Sequence, residues 1–119
     1  MAADALAAAR AFLCEAHHLS PDEAAEALAV AAEVLDAGLA RLNAAARSGD
    51  GPGCVAAAHA LKGNFLNLGL AMPAALAGQV MERAAADDCD AAKNAVAALT
   101  TVLRPILALG PEADASSPR

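Results

Sequence analysis

Apolar residues recur along this chain at steps of three and four, the period at which an α-helix returns to the same face. The clearest stripe is Cys54, Ala58, Leu61, Phe65 and Leu68, spaced four, three, four and three. Upstream, Leu6, Ala9, Leu13 and Ala16 predict a short first helix over residues 3–17. Ser20-Pro21-Asp22-Glu23 then supplies an N-cap serine, a first-turn proline and a glutamate placed to complete a capping box. From that start Leu28, Val34 or Leu35, Leu39 and Leu42 carry a stripe to about Arg47, with Gly38 as a place to bend. At 1.5 Å per residue such a helix spans roughly 40 Å.

Breakers separate the later elements. Ser48-Gly49-Asp50-Gly51-Pro52-Gly53 reads as the clearest loop of the chain. Gly69 stops the striped helix and Pro73 opens the next, which runs to about Ala86 with Leu76, Val80 and Ala84 inward. Asp87-Asp88-Cys89-Asp90 makes a turn, and a last helix, stressed by Pro105, continues to about Leu109. β-Branched residues are sparse and no stretch alternates apolar with polar, so strands are not expected. Four long amphipathic helices with short connections predict an all-α fold, an antiparallel four-helix bundle (up-down-up-down) with a short additional N-terminal helix. Residues 1–109 form a single domain in this reading, and residues 110–119 a flexible, polar C-terminal tail.

Composition narrows the function classes. The chain has 119 residues, the size of one domain with one modest core. Its 58% hydrophobic content is inflated by alanine. The stronger apolar residues never run for the roughly 18 positions that a membrane-spanning helix needs. Asp4 puts a negative charge where a secretory signal carries positive ones, so a soluble cytoplasmic protein is expected, with no membrane association. A net charge of −6 argues against nucleic-acid binding, which requires a basic face. Phe12 and Phe65 are the sole aromatics of the Phe, Tyr and Trp class, too few for base stacking. Cys14, Cys54 and Cys89 are widely spaced and read as buried free thiols.

The candidate chemistry sits on the striped helix. His59, Lys62 and Gly63 stand at i, i+3 and i+4, within about a turn of one another. If the stripe faces inward, Val55, His59, Lys62 and Leu66 lie on the flank about 100° round, and His59 is expected at the boundary, partly exposed. A neutral imidazole nitrogen is a nucleophile near neutral pH. Lys62 adds a cation that can offset phosphoryl charge as it passes between nucleophiles. Gly63 costs about 1 kcal/mol relative to alanine in a helix interior, which calls for a compensating gain. Either a partner's loop approaches there or a neighbouring helix does. Folding the chain about residues 70–72 sets His59 level with residues near 82, where Gln79 and Arg83 share a face. Gln79 could hold one ring nitrogen by a hydrogen bond, and Arg83 could add positive potential, with Glu82 able to pair with Arg83 or Lys62.

The His59-x-x-Lys62-Gly63 core, with Gly69 six residues beyond, resembles the signature of histidine-containing phosphotransfer (HPt) domains. The resemblance runs from about Leu35 to Leu103 and includes Gly49-Asp50, the small residues Ala58 and Ala60 beside the histidine, and Gln79 to Ala84. It implies a phosphorelay intermediate of two-component signal transduction. His59 would be the phosphoacceptor through its outer ring nitrogen, supported by Lys62 and Gly63. Its partners would be the receiver domains of response regulators and a hybrid histidine kinase, met through Val55 and Leu66, with the chain itself a monomer. The divalent metal of the chemistry would sit on the receiver domain, leaving this chain without a metal or cofactor of its own. Asn64, Phe65 and Leu66 depart from the small residues common in the family at those positions. Ala60 follows the histidine where kinases of the bundle type carry an acid, and no glycine-rich nucleotide loop is present, so no kinase or ATPase activity is expected.

Two other readings compete. A non-catalytic helical adaptor would bind a partner helix or a receiver without being phosphorylated, and His59 would then be dispensable. A metal or haem bundle would draw on His17, His18, His59 and a cysteine. Adjacent histidines project about 100° apart, however, and no Glu-x-x-His pair occurs. His17 and His18 are better placed to close the C-terminal end of the first helix.

Overall fold

The computed structural model describes residues 3–109, all of whose regular structure is helical. Five helices follow in order: α1 (Ala3–Ala16), α2 (Pro21–Arg47), α3 (Gly51–Asn67), α4 (Ala71–Ala85) and α5 (Cys89–Leu107). The predicted tail, residues 110–119, lies outside the described residues. None of the described helices is long and apolar enough to cross a membrane.

Helix starts follow local chemistry. Ser20 caps α2: its hydroxyl accepts the Glu23 N–H at 3.1 Å, and the Glu23 carboxylate accepts the Ser20 N–H at 2.9 Å. Asp50 caps α3 by accepting the Gly53 N–H at 2.9 Å. The expected loop at 48–53 is therefore three residues shorter at its far end. Gly51, Pro52 and Gly53 form the first turn of α3, where backbone N–H groups lack intrahelical acceptors and proline costs nothing. The acidic turn is corrected in the same sense, since Asp88 is the cap of α5 and accepts the Ala91 N–H at 3.1 Å. Cys89 and Asp90 are already helical. α4 begins at Ala71, two residues before Pro73, and α5 ends at Leu107, two residues past Pro105.

Each of the four connections contains one residue in the left-handed region: His18 (φ 57), Gly49 (φ 71), Gly69 (φ 71) and Asp87 (φ 61). Gly69 is required twice over. Its φ disfavours a side chain, and a Cβ there would run into the ring of Phe12, which α1 lays across the α3–α4 turn.

The helices bury one continuous core. Packing pairs are α2 with α3, α3 with α4, α4 with α5, and α2 with α5, while α1 lies against α2 and α5. The predicted α3 stripe is buried throughout, from Cys54 to Leu68. On α2 the core takes Leu28, Leu35, Leu39 and Leu42, and Val34 faces out. α1 is rotated from the expected stripe. Ala5, Ala9 and Leu13 are buried, Leu6 is half-buried and Ala16 is exposed. Alanine is compatible with either side, so it conceals the phase of a short helix. Gly38 is a contact point: a Cβ there would lie 2.7 Å from Cδ2 of Leu61, so its absence lets α3 close on α2. No polar or charged side chain is buried among the described residues. Of the three free thiols only Cys54 is fully buried, and Cys14 and Cys89 are half-buried.

Candidate functional site

His59 occupies the middle of α3, eight residues past its first, and is exposed. The inward stripe fixes this, because residues 58 and 61 are buried and residue 59 is turned about 100° away from residue 58. Lys62, one turn on, is half-buried, so its aliphatic stem lies along the helix surface. Gly63 is exposed, and a Cβ built on it would meet nothing within 4 Å. A close helix–helix contact at Gly63 is thereby excluded. Packing gives no reason for a glycine there, although it weakens the helix by about 1 kcal/mol. The side-chain hydrogen bonds among the described residues are helix caps and returns to the same helix, and His59 takes part in none of them.

The two flanks of α3 have different neighbours. Gly53, Ala57 and Ala60 line a hollow with Arg41, Ala44 and Ala45 of α2. Asn64 and Asn67 line another with Ala31 and Val34 of α2. The opposite flank holds Val55, His59, Lys62 and Leu66, and the remaining neighbour of α3 is α4. Val55 is half-buried against the core, whereas Leu66 is 55% exposed and forms the apolar part of this surface.

The same reasoning applied to α4 changes which of its residues stand near the imidazole. Its buried set is Pro73, Ala74, Ala77, Val80 and Ala84, with Leu76 only half-buried. Met72 lines a hollow with Val102 of α5 and Ala5 and Ala8 of α1. Gln79 and Arg83 fall on the same side as Met72, at helical spacing, and both are exposed. They therefore point outward and toward the α5 side. The flank beside α3 carries Ala74, Gly78 and Met81. Height along the pair is set at one end by the three-residue turn Leu68–Leu70. At the other end Gly51 sits so close that a Cβ on it would be 3.1 Å from the Ala84 carbonyl oxygen. Eight rises of about 1.5 Å from that contact bring His59 level with residue 76, and ten from Gly69 at the middle of the turn bring it level with residue 79, so His59 stands between those heights, near Ala77 and Gly78, and not at residue 82.

Gly78 is thus the residue on the α3-facing flank of α4 that lies close to the level of His59, and the sequence pattern did not single it out. Ala74 and Ala77, small and buried, complete the inward side of α4 beside the expected Val80 and Ala84, with Leu76 half-buried against the core. Gly78 is half-buried, and like Gly63 it has nothing within 4 Å of a built Cβ. The exposed histidine thus has Gly63 one turn along its own helix and Gly78 on the facing flank of the adjacent one, both with open space where a Cβ would stand.

Charge is distributed unevenly around it. α3 is the one described helix with no acidic residue, and it carries Lys62 and His59 in a chain of net charge −6. At the N-terminal end of the same helix, burial pushes the Cys54 thiol up from its ordinary value, with Cys89 and Asp50 adding smaller electrostatic contributions in the same direction. Cys54 stays neutral there and serves as a small apolar side chain. Among the described residues no group of three or more His, Cys, Asp or Glu side chains is arranged to hold a metal ion.

No protein-family model, no curated protein and no solved structure matches this chain.

Proposed function

We propose that this chain is a histidine phosphotransfer domain, taking a phosphoryl group from a receiver-domain aspartate onto His59 and passing it to a second receiver aspartate. The observation that carries the reading is the exposed mid-helix imidazole with a lysine one turn on and a glycine beside it that packing does not require. The helix order and the cycle of packed pairs from α2 through α5 support an antiparallel up-down-up-down bundle, with α1 as an added element. In such a bundle α3 is a rigid rod that presents His59 without a loop to reorganise.

Transfer needs little of this chain beyond a nucleophile and a seat. The outer imidazole nitrogen, Nε2, attacks phosphorus in line with the aspartyl oxygen. The N–P bond forms as the P–O bond breaks, and the bonding pair leaves with the carboxylate. The proton on Nδ1 stays with the ring, so neutral imidazole is the leaving group when the phosphoryl group moves on. Return to a second receiver reverses these bond changes at that protein's aspartate. Lys62 offsets the phosphoryl charge in transit. The divalent ion sits in the acidic pocket of the receiver, and the acid-free surface of α3 is matched in charge to that pocket. The contact is transient and small, with Leu66 and Val55 as its apolar part. No kinase or ATPase step belongs to this chain, which is confined to relay.

A purified receiver domain charged with labelled phosphate should transfer label to the wild-type chain and leave His59→Gln unlabelled at unchanged helicity. Equal labelling of the two proteins would remove His59 from the reaction. Absence of label from both, across several receivers, would favour the adaptor reading.

A further inference from the structure

We infer that Gly78 of α4, together with Gly63 of α3, is the clearance through which a receiver domain reaches His59, so that residue 78 determines which partners gain access. This rests on the phosphotransfer reading above and extends the contact surface from α3 onto α4.

Three observations meet at this residue. Gly78 lies inside α4, seven residues from either end, where glycine is disfavoured by about 1 kcal/mol relative to alanine. No structural need offsets that cost: Gly78 has no left-handed φ, and a Cβ built on it finds open space. The glycines that do serve the fold look different. Gly38 would strike Leu61, Gly69 would strike Phe12, and Gly51 would crowd the Ala84 carbonyl. Finally, Gly78 belongs to the flank of α4 that faces α3, close to the level of His59. The two helix-interior glycines with unfilled space on α3 and α4 are therefore one turn past His59 on its own helix and close to its level on the facing one.

A side chain at 78 would project into the approach path without disturbing the core. Space open in the free protein and required in the complex gives opposite signs for stability and for transfer. The charge pattern indicates what approaches. An acid-free α3 offering Lys62 and His59 suits an acidic loop that carries the phosphorylated carboxylate.

The test compares wild type, Gly78→Ala and Gly78→Leu. Each is mixed with receiver domains charged by acetyl phosphate, and separately with phosphoramidate, a small donor that needs no docking surface. The expected result is that Gly78→Leu loses about tenfold or more of its receiver-dependent labelling rate, as a clash at the centre of a contact does. Gly78→Ala should lose less, phosphoramidate should label all three alike, and melting temperature should hold or rise. Equal receiver-dependent rates for wild type and Gly78→Leu would overturn the inference and leave the phosphotransfer reading standing. A lowered melting temperature for Gly78→Ala would also overturn it, because the glycine would then be a packing residue. Failure of every receiver to label wild type, with phosphoramidate still labelling His59, would overturn the phosphotransfer reading and this inference with it.

Discussion

Glycines on this scaffold do two different jobs, and the space around each one separates them. Gly38 lies between α2 and the buried Leu61, with 2.7 Å between a built Cβ and Leu61 Cδ2. Gly38→Ala should therefore destabilise the fold by about 1–3 kcal/mol through overpacking. Gly63→Ala, by contrast, should raise stability by about 1 kcal/mol while slowing phosphoryl transfer. Chemical denaturation of both variants checks the signs, and a loss of stability in Gly63→Ala would show that its open space is needed by the fold. Cys54 gives a pH-dependent test at the same scale. Its thiol is held above its ordinary value by burial, so the folded state retains the proton more tightly than the unfolded state. That contribution is present in full below the ordinary thiol range and is lost as pH rises through the folded value. Wild type should lose stability at alkaline pH more steeply than Cys54→Ala, as read from unfolding curves between neutral pH and the alkaline range.

Element boundaries follow from caps more than from stripes. Ser20 and Glu23 close a reciprocal pair of hydrogen bonds at the start of the longest helix, so Ser20→Ala should cost about 1 kcal/mol. A thermal melt unchanged by that substitution would count against the cap. This start was readable from residues 20–23, because the capping box is a local device. So were the α3 stripe and the turns at Gly49 and Gly69, where glycine marks a left-handed backbone. The left-handed residues His18 and Asp87 carry no such mark, and the ends of α1 and α4 were placed less closely for that reason. Glycine and proline at 51–53 suggested loop, yet they occupy a first turn in which neither breaks a hydrogen bond. On α4 the expected Val80 and Ala84 are buried and Leu76 packs half-buried against the core, but the side completed by alanine is not legible in the pattern. Alanines 74 and 77 supply much of its buried side, and a pattern built from large apolar residues cannot see them. Gln79 and Arg83 were placed beside the imidazole on a register that set His59 level with residue 82, whereas the Gly51–Ala84 contact moves that level toward the turn and the α3-facing flank of α4 carries Gly78 there.

At the scale of the whole molecule, a rigid helical body holds one exposed nucleophile on the only described helix free of acidic charge. His59, Lys62 and Gly63 were legible because their spacing is local to one helix. The place of Gly78 on the facing helix was not, because it depends on how two helices are rotated and registered against each other. Hollows at the surface between helices include two beside α3, one lined by Ala44, Ala57 and Ala60 and one by Val34, Asn64 and Leu68. All of the proposed chemistry lies at one exposed imidazole that a partner must reach. The measurement that tests this most directly is the chemical stability of the label acquired from a phosphorylated receiver, compared between wild type and His59→Gln. Label that is lost in acid, retained in base, and absent from His59→Gln is the predicted result. Label that survives acid, or that persists on folded His59→Gln, would contradict the account at its centre.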